Sequence, residues 1–391
     1  MNENTNRDKQ IEEAAEKFKK LLNEQLMRQD KIKNALPPKD YNNAENIKIG
    51  IADGDGIGPI IMAEARRVLN FLMCDEIKSG KISLLDIDGL TIENRQKLNC
   101  ALPDESLDQI LSCDVLLKGP TTTPSGGSLG SANVALRKEL DLYANVRQID
   151  IPEKGINWVF FRENTEGEYA LGSDGILFPD EMAVDFKVTT DGGTKRIARA
   201  AFSYAAKNGN LRVSVVTKSN IMKRTDGMFS SICSEVAKDY PEIICDEWYV
   251  DIMSANLINE KTQADFKVFL LPNLYGDILT DEAAQIQGGV GTAGSANIGD
   301  RYAMFEAIHG SAPRKIEKGE GDYSNPESIL RALIMLLNHI GRQDKAQLLE
   351  NALDICTKKE RKIVISGKKD GATGKEFGDY LLETLQIIKN K

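Results

Sequence analysis

Two aspartates, Asp277 and Asp281, stand four residues apart in the run FKVFLLPNLYGDILTD. If a helix follows the apolar strand there, both carboxylates lie on one face. Such a pair can chelate a hard divalent cation, which takes one or two protein carboxylates together with substrate oxygens and water. The same spacing also reads as a helix cap followed by a first-turn acid that complements the helix dipole. Asp251, after another apolar run, is a third acidic candidate that nothing local ties to the pair. The chain has 2 histidines, His309 and His339, and 6 scattered cysteines with no C-x-x-C pair. A metal would therefore be held mainly by oxygen, which favours Mg²⁺ or Mn²⁺ over zinc.

A second constellation suits anions. Residues 118 to 147 read KGPTTTPSGGSLGSANVALRKELDLYANVR, a hydroxyl- and glycine-rich loop running into a helix. Ser131 and Asn133 sit at the expected helix start, where free backbone N–H groups face outward. Arg137 follows one turn later, Arg147 comes next, and Arg162 ends the apolar strand WVFF. Guanidinium groups bind carboxylates through two parallel hydrogen bonds, although each arginine alone also reads as a solvated group or half of an ion pair. Tyr169 in RENTEGEY and Lys218 in VVTKSN are the candidate proton carriers. With unperturbed pKa values of about 10 and 10.4, they would need nearby cations and burial to work at neutral pH. His309, in IHGSAP, reads by itself as an ordinary loop histidine.

These side chains need a scaffold, and short apolar runs supply one. Ile47 to Ala52, Ile82 to Ile87, Val115 to Leu117, Trp158 to Phe161, Val213 to Val216 and Val268 to Leu271 alternate with helix-period segments, the pattern of an α/β sheet. The run Asp53 to Pro59, DGDGIGP, follows a strand and feeds a helix with Pro59 in its first turn. Its glycines are two apart, so it lacks the G-x-G-x-x-G dinucleotide spacing. The first 45 residues read as an added helix whose apolar stripe, Ile11, Ala15, Phe18, Leu22 and Leu26, should pack on the domain or on a neighbouring subunit before Pro37 and Pro38 end it.

Composition narrows the function classes. At 391 residues, with 41% hydrophobic and 28% charged residues, the chain is large enough for two domains and has a full core. A formal charge of −9 offers no global positive field for nucleic acid or anionic lipid. No apolar stretch is long enough to span a bilayer, and no signal core or thiolate framework is present. A small-molecule enzyme of the reducing cytoplasm is expected.

Together the motifs resemble the β-decarboxylating dehydrogenases that act on isocitrate, isopropylmalate and homoisocitrate. The resemblance rests on GDGIGP at 54 to 59, KGPTTTP at 118 to 124, SANVALRKELDLYANVR at 131 to 147, FRENTEGEY at 161 to 169, TKSNIMKRTDGMF at 217 to 229, LPNLYGDILTDEAAQIQGG at 271 to 289 and NIGDRYAMFEAIHGSAP at 297 to 313. It implies an α/β fold that is not a Rossmann fold, with large and small domains sharing a central sheet. Residues 1–45 would be the helical extension, 46–142 and 288–391 the two parts of the large domain, and 143–287 the small dimerisation, substrate and metal domain.

The resemblance also assigns roles. Ser131, Asn133, Arg137, Arg147 and Arg162 would bind substrate, while Tyr169 and Lys218 handle protons. Asp277 and Asp281, with Asp251 from a second subunit, would hold Mg²⁺ or Mn²⁺. Thr122, Thr123, Asn220, Glu306, His309, Gly310 and Asn325 would bind the nicotinamide cofactor. A homodimer with shared active sites follows, because Lys218 would also cross the interface.

Ser131-Ala132-Asn133-Val134 offers two small hydrogen-bonding side chains where isopropylmalate enzymes place bulky groups. An isopropyl arm would leave these unpaired at about 1 to 3 kcal/mol each, so isocitrate is the expected substrate and homoisocitrate the near alternative. A non-catalytic regulatory subunit of an isocitrate dehydrogenase is the rival of another class. Gln148 and Ile60 depart from the family pattern, as does the lengthened loop HGSAPRKIEKGEGDYSNP with Arg314 and Lys315. LRKELDLYANVR and RENTEGEY look closest to NAD-linked isocitrate dehydrogenases, so NAD is expected over NADP; Glu317, Glu320 and Asp322 could neutralise the basic pair, and IVISGKKDGATGKEFGD lacks the tyrosine and arginine of NADP-linked relatives as well as the usual aspartate.

Overall fold

Each of the six apolar runs forms a strand, and six further strands join them. In order these are β1 (Ile47–Ala52), β2 (Ile82–Asp86), β3 (Val115–Lys118), β4 (Ala144–Ile151), β5 (Ile156–Glu163), β6 (Ile176–Phe178), β7 (Met182–Val184), β8 (Val213–Thr217), β9 (Cys245–Tyr249), β10 (Val268–Leu271), β11 (Gly294–Ile298) and β12 (Ala303–Ala307). The computed structural model describes residues 3–35, 37–41, 44–124, 129–170, 175–289 and 291–390. The chain divides into two compact units, one of Met1–Pro37 with Ile151–Thr280 and one of Pro38–Asp150 with Asp281–Lys391.

In the larger unit the strands run in the order β2-β1-β3-β12-β11-β4. The pairs β1–β2, β1–β3 and β3–β12 are parallel, and β11 runs antiparallel to both β12 and β4. Helices Gly58–Leu72, Glu327–His339 and Gly374–Lys389 contribute Met62, Leu69, Leu333, Leu337 and Leu381 to the core beneath Ile47, Ile49 and Phe305. In the smaller unit β5-β10-β8-β9 are all parallel. Buried on both faces, β10 is apolar throughout and β5 is apolar from Trp158 to Phe161. Phe160 stacks on Phe269 with ring centroids 4.4 Å apart, and both rings meet the Trp158 indole edge-on. Phe269→Ala would cost about 3 to 5 kcal/mol.

The sequence divisions at 142/143 and 287/288 differ from these units, which divide at 150/151 and 280/281. The reason at the first boundary is β4, which pairs with β11 and so belongs with the larger unit. The N-terminal helix, Glu3–Lys33, groups with the smaller unit. It docks with the face adjacent to the expected stripe. Leu21 is buried while Ile11, Phe18, Leu22 and Leu26 stay exposed; of these, Phe18 still stacks on Phe186 with centroids 5.0 Å apart. Arg28 and Gln29 lie on the docked side and hydrogen-bond there.

The glycine run has a steric task. Gly54 and Gly56 have φ of +75° and +58°, a region where a side chain is strained. A Cβ on Gly54 would sit 2.3 Å from the Pro120 carbonyl oxygen, and one on Gly56 would sit 2.1 Å from that of Ser311. Three loops therefore meet backbone to backbone, with the Asp55 amide donating to the Pro120 carbonyl at 2.7 Å and the Ile57 amide to the Ser311 carbonyl at 2.9 Å.

Candidate active site

In the larger unit the helix Ala132–Glu139 begins where expected. Ser131 caps it by accepting from the Val134 amide, and Asn133 accepts from the Thr121 hydroxyl at 3.0 Å. Asn133, Arg137, Arg147, Ser295, Glu306 and His309 are among the residues lining a cavity of about 100 Å³. Arg137 is held by one edge only. Its Nη2 faces Glu306 at 3.4 Å, while its Nε is buried with no hydrogen-bond partner among the described residues. A buried donor left in this state costs about 1 to 3 kcal/mol, and an anion entering the cavity would satisfy it.

Glu306 is the anchor beneath that arginine. It accepts from Lys118 at 3.1 Å and from Asn297 at 2.8 Å. Burial alone would raise its pKa, but Lys118 and then Arg137 outweigh burial and bring it down to about 2. Its carboxylate thus meets three partners and orients Arg137, while it also lines the cavity. Arg147 donates Nε to Asn145 at 3.2 Å and Nη1 to Asp281 at 2.5 Å.

The cofactor candidates of this unit lie on its loops. Thr122 donates its amide to Asp55 at 2.7 Å and shares a 2.6 Å hydroxyl contact with Ser311. Thr123 and Gly310 are exposed. His309 contacts the Gly310 carbonyl at 3.0 Å, and its pKa is lowered by burial first and by the Lys315 charge last. Asn325 accepts from the Glu327 amide at 2.9 Å. Lys118, Asn145, Asn297 and Asp55 escaped the sequence reading because each acts on a partner distant in the chain.

In the smaller unit Arg162 leaves the end of β5 and lays its guanidinium against Asn273, with Nε and Nη2 at 3.0 and 2.7 Å from one oxygen, while Nη1 donates to Asp277. Gly276 makes this path open, since a Cβ there would sit 2.5 Å from Arg162 Cγ. Tyr169 donates to the other Asp277 oxygen at 2.9 Å. Lys218 pairs with Asp251 at 2.5 Å; both are partly exposed, and the ammonium holds the Asp251 carboxyl below the usual range. Asn220, an assigned cofactor ligand, is exposed in the turn after β8.

Asp277 and Asp281 both lie inside the helix Asn273–Gln287. Neither falls in its first turn, so the capping alternative is excluded. Their oxygens are accessible, with side chains 37% and 58% exposed, and the all-oxygen donor type suits Mg²⁺ or Mn²⁺. Among the described residues no three His, Cys, Asp or Glu side chains come together as a metal set. Among the described residues no helix is long and apolar enough to cross a membrane.

The family model for isocitrate/isopropylmalate dehydrogenase matches residues 48–381. The chain belongs to the isocitrate/isopropylmalate dehydrogenase family. It is 41% identical over 313 residues to an NADP isocitrate dehydrogenase of Rickettsia prowazekii, covering 78% of this chain and 62% of that protein. It is 35% identical over 361 residues to homoisocitrate dehydrogenase of Methanocaldococcus jannaschii, covering 87% and 99%. The crystal structure of isocitrate dehydrogenase from Methylococcus capsulatus matches with a TM-score of 0.78 at 35% identity, covering 87% of this chain and 99% of that one. The chain spans 62 to 63% of the length of the rickettsial relatives. The N-terminal helix lies outside the family match, which starts at residue 48.

Proposed function

We propose that this chain oxidatively decarboxylates isocitrate to 2-oxoglutarate and CO₂. The observation that carries this reading is the Nε of Arg137, without a partner among the described residues, in a small polar cavity shared with Asn133 and Arg147. That cavity takes a carboxylate and would leave its polar groups unpaired against a purely apolar arm.

Asp277 and Asp281, with Asp251 of a second copy, would hold Mg²⁺ or Mn²⁺, which would supply Lewis-acid polarisation of a substrate oxygen, and a bound nicotinamide cofactor would supply the hydride acceptor. The chain's own groups do the remaining work. Arg137, Arg147 and Arg162 orient the carboxylates. Lys218, presented by the second copy of a homodimer, takes the hydroxyl proton. Tyr169, oriented by its hydrogen bond to Asp277, delivers a proton to C3 once CO₂ has left. A regulatory subunit would not need these side chains, and this chain retains every one of them.

For the cofactor, the geometry favours NADP over the NAD read from sequence. Lys315 Nζ lies 3.0 Å from where a Gly367 Cβ would be, and Lys369 Nζ lies 3.7 Å from where a Gly319 Cβ would be. Lys315 and the loop carrying Lys368 and Lys369 therefore approach each other, and among the described residues no ion pair ties Arg314 or Lys315 to Glu317, Glu320 or Asp322. Two basic loops suit a 2′-phosphate better than ribose hydroxyls alone. The test is kcat/KM for isocitrate, homoisocitrate and isopropylmalate with each cofactor in Mg²⁺ or Mn²⁺. A preference for either other substrate, or no turnover by the purified chain, would defeat the reading.

A further inference from the structure

The N-terminal helix inserts polar groups beneath the loop that carries Tyr169. Arg28 donates from Nη1 to Glu166 at 2.6 Å and from Nη2 to the Thr165 hydroxyl at 2.5 Å. One residue on, Gln29 donates to the Thr190 hydroxyl at 2.6 Å and accepts from the Gly192 amide at 2.9 Å. Thr190 caps the helix Asp191–Lys207 and also gives Glu166 its amide at 2.9 Å and its hydroxyl. Glu166 is therefore a hub, 2% exposed, joining three segments.

This hub is electrostatically costly without its cation. Glu163, also buried, lies in the same turn and accepts the Thr165 and Glu166 amides at 3.0 and 2.7 Å. Burial, and after it the Glu163 charge, push the Glu166 pKa up, while Arg28 pulls it back. The Arg28 guanidinium therefore offsets part of the cost of a charged carboxylate buried in this turn. The hub also leads to the chemistry. The Glu166 carbonyl accepts from Asn273 at 2.9 Å, and the oxygen of that same amide holds Arg162. Three residues past Glu166 stands Tyr169, with Gly167 between them at a φ of +74°.

We infer that the N-terminal helix is a positioning element for the active site, acting through Arg28 on Glu166 and thence on Asn273, Arg162 and the Tyr169 loop. The helix lies outside the family match, so this device belongs to the chain's extension and not to the shared fold. The exposed stripe Ile11, Phe18, Leu22 and Leu26 is not required for it. The inference rests on Arg162 and Tyr169 serving isocitrate as proposed above.

The test compares Arg28→Ala, Arg28→Lys and Gln29→Ala with wild type in the full chain. Steady-state kinetics with isocitrate is paired with amide hydrogen exchange of residues 163–169. Arg28→Ala is expected to raise KM for isocitrate and lower kcat/KM by about tenfold or more, with KM for the cofactor unchanged and faster exchange confined to 163–169. Ethylguanidinium should restore part of the loss in Arg28→Ala, and Arg28→Lys should fall between. A purely structural helix would reduce the active fraction with unchanged KM and no chemical rescue, and that result, or kinetics within about twofold of wild type with unaltered exchange, overturns the inference. A wild type that turns over none of the three substrates would instead defeat the functional reading, and the exchange measurement alone would then decide whether Arg28 orders the loop.

Discussion

Tyr169 donates its phenolic hydrogen to Asp277, 2.9 Å from Oη to Oδ2, while the Arg162 guanidinium lies 5.6 Å from its ring centroid. The phenol is thereby aimed by one carboxylate and faced by one cation, as the proton-donor role proposed for it requires. Tyr169→Phe keeps the ring and loses the proton. Substrate binding should persist, and decarboxylation should fall by about 10²- to 10⁴-fold, the usual worth of a general acid, with a smaller effect on hydride transfer. Supplying oxalosuccinate and following its reduction and its decarboxylation separately checks this. Equal losses in both would make Tyr169 a positioning group only.

Arg147 and Asp281 form a partly buried pair in which the carboxylate is the exposed member, 58% against 7%. Asp281 can therefore turn one oxygen to a cation without breaking the arginine contact, and Asp277 is similarly shared with Arg162. Asp277→Asn and Asp281→Asn should each weaken Mn²⁺ binding by more than about tenfold and remove most activity, because a neutral amide cannot replace the charge. Mn²⁺ titration by calorimetry reads this independently of turnover. Normal affinity in both variants sinks the metal assignment.

The sequence made β1 and β10 legible because parallel strands covered on both faces must be apolar throughout. It hid β11, GSANI, whose small residues carry no period. The N-terminal helix misled for a related reason. Its apolar stripe is visible as a pattern, whereas Arg28 and Gln29 dock by hydrogen bonds to residues more than a hundred positions away, which no local spacing can show. The same limit applied at the site. Asp277 and Asp281 announced themselves by one helical turn, but Asn273 reaches Arg162 and Glu166 across 111 and 107 residues, and the pairing of Lys118 with Glu306 exists only once β3 and β12 lie side by side.

His339 provides a pH-dependent test of the larger unit. Its ring lies between those of Tyr41 and Phe305, at centroid distances of 5.2 and 5.5 Å, and burial pulls its pKa down to about 4. The unfolded chain, with an ordinary histidine near 6.5, binds the proton more readily. The stability associated with the neutral ring is therefore complete above about pH 6.5 and is lost as pH falls toward 4, by at most about 3 kcal/mol. Urea unfolding between pH 7 and 4 should show a shallower decline in His339→Leu than in wild type. Parallel declines would mean that the ring titrates normally in the fold.

The choice between NAD and NADP turns on whether Lys315 and its neighbours are neutralised or available. Arg314 is exposed at the surface of the short helix Pro313–Glu317, and Lys315 is half-buried with its ammonium over Gly367. Gly367 has a φ of +77°, so a side chain there would both strain the turn and displace the lysine. A 2′-phosphate meeting this group gains charge-assisted hydrogen bonds of about 1.5 to 3 kcal/mol each, or roughly tenfold to a hundredfold in affinity. Wild type should therefore favour NADP by at least about tenfold in kcat/KM. Arg314→Ala and Lys315→Ala should each lose about tenfold with NADP and little with NAD, and the loss should shrink at high salt because the contacts are partly exposed. A wild type that prefers NAD, with neither substitution changing the ratio, would return the assignment to the ribose hydroxyls and to the acidic residues Glu317, Glu320 and Asp322.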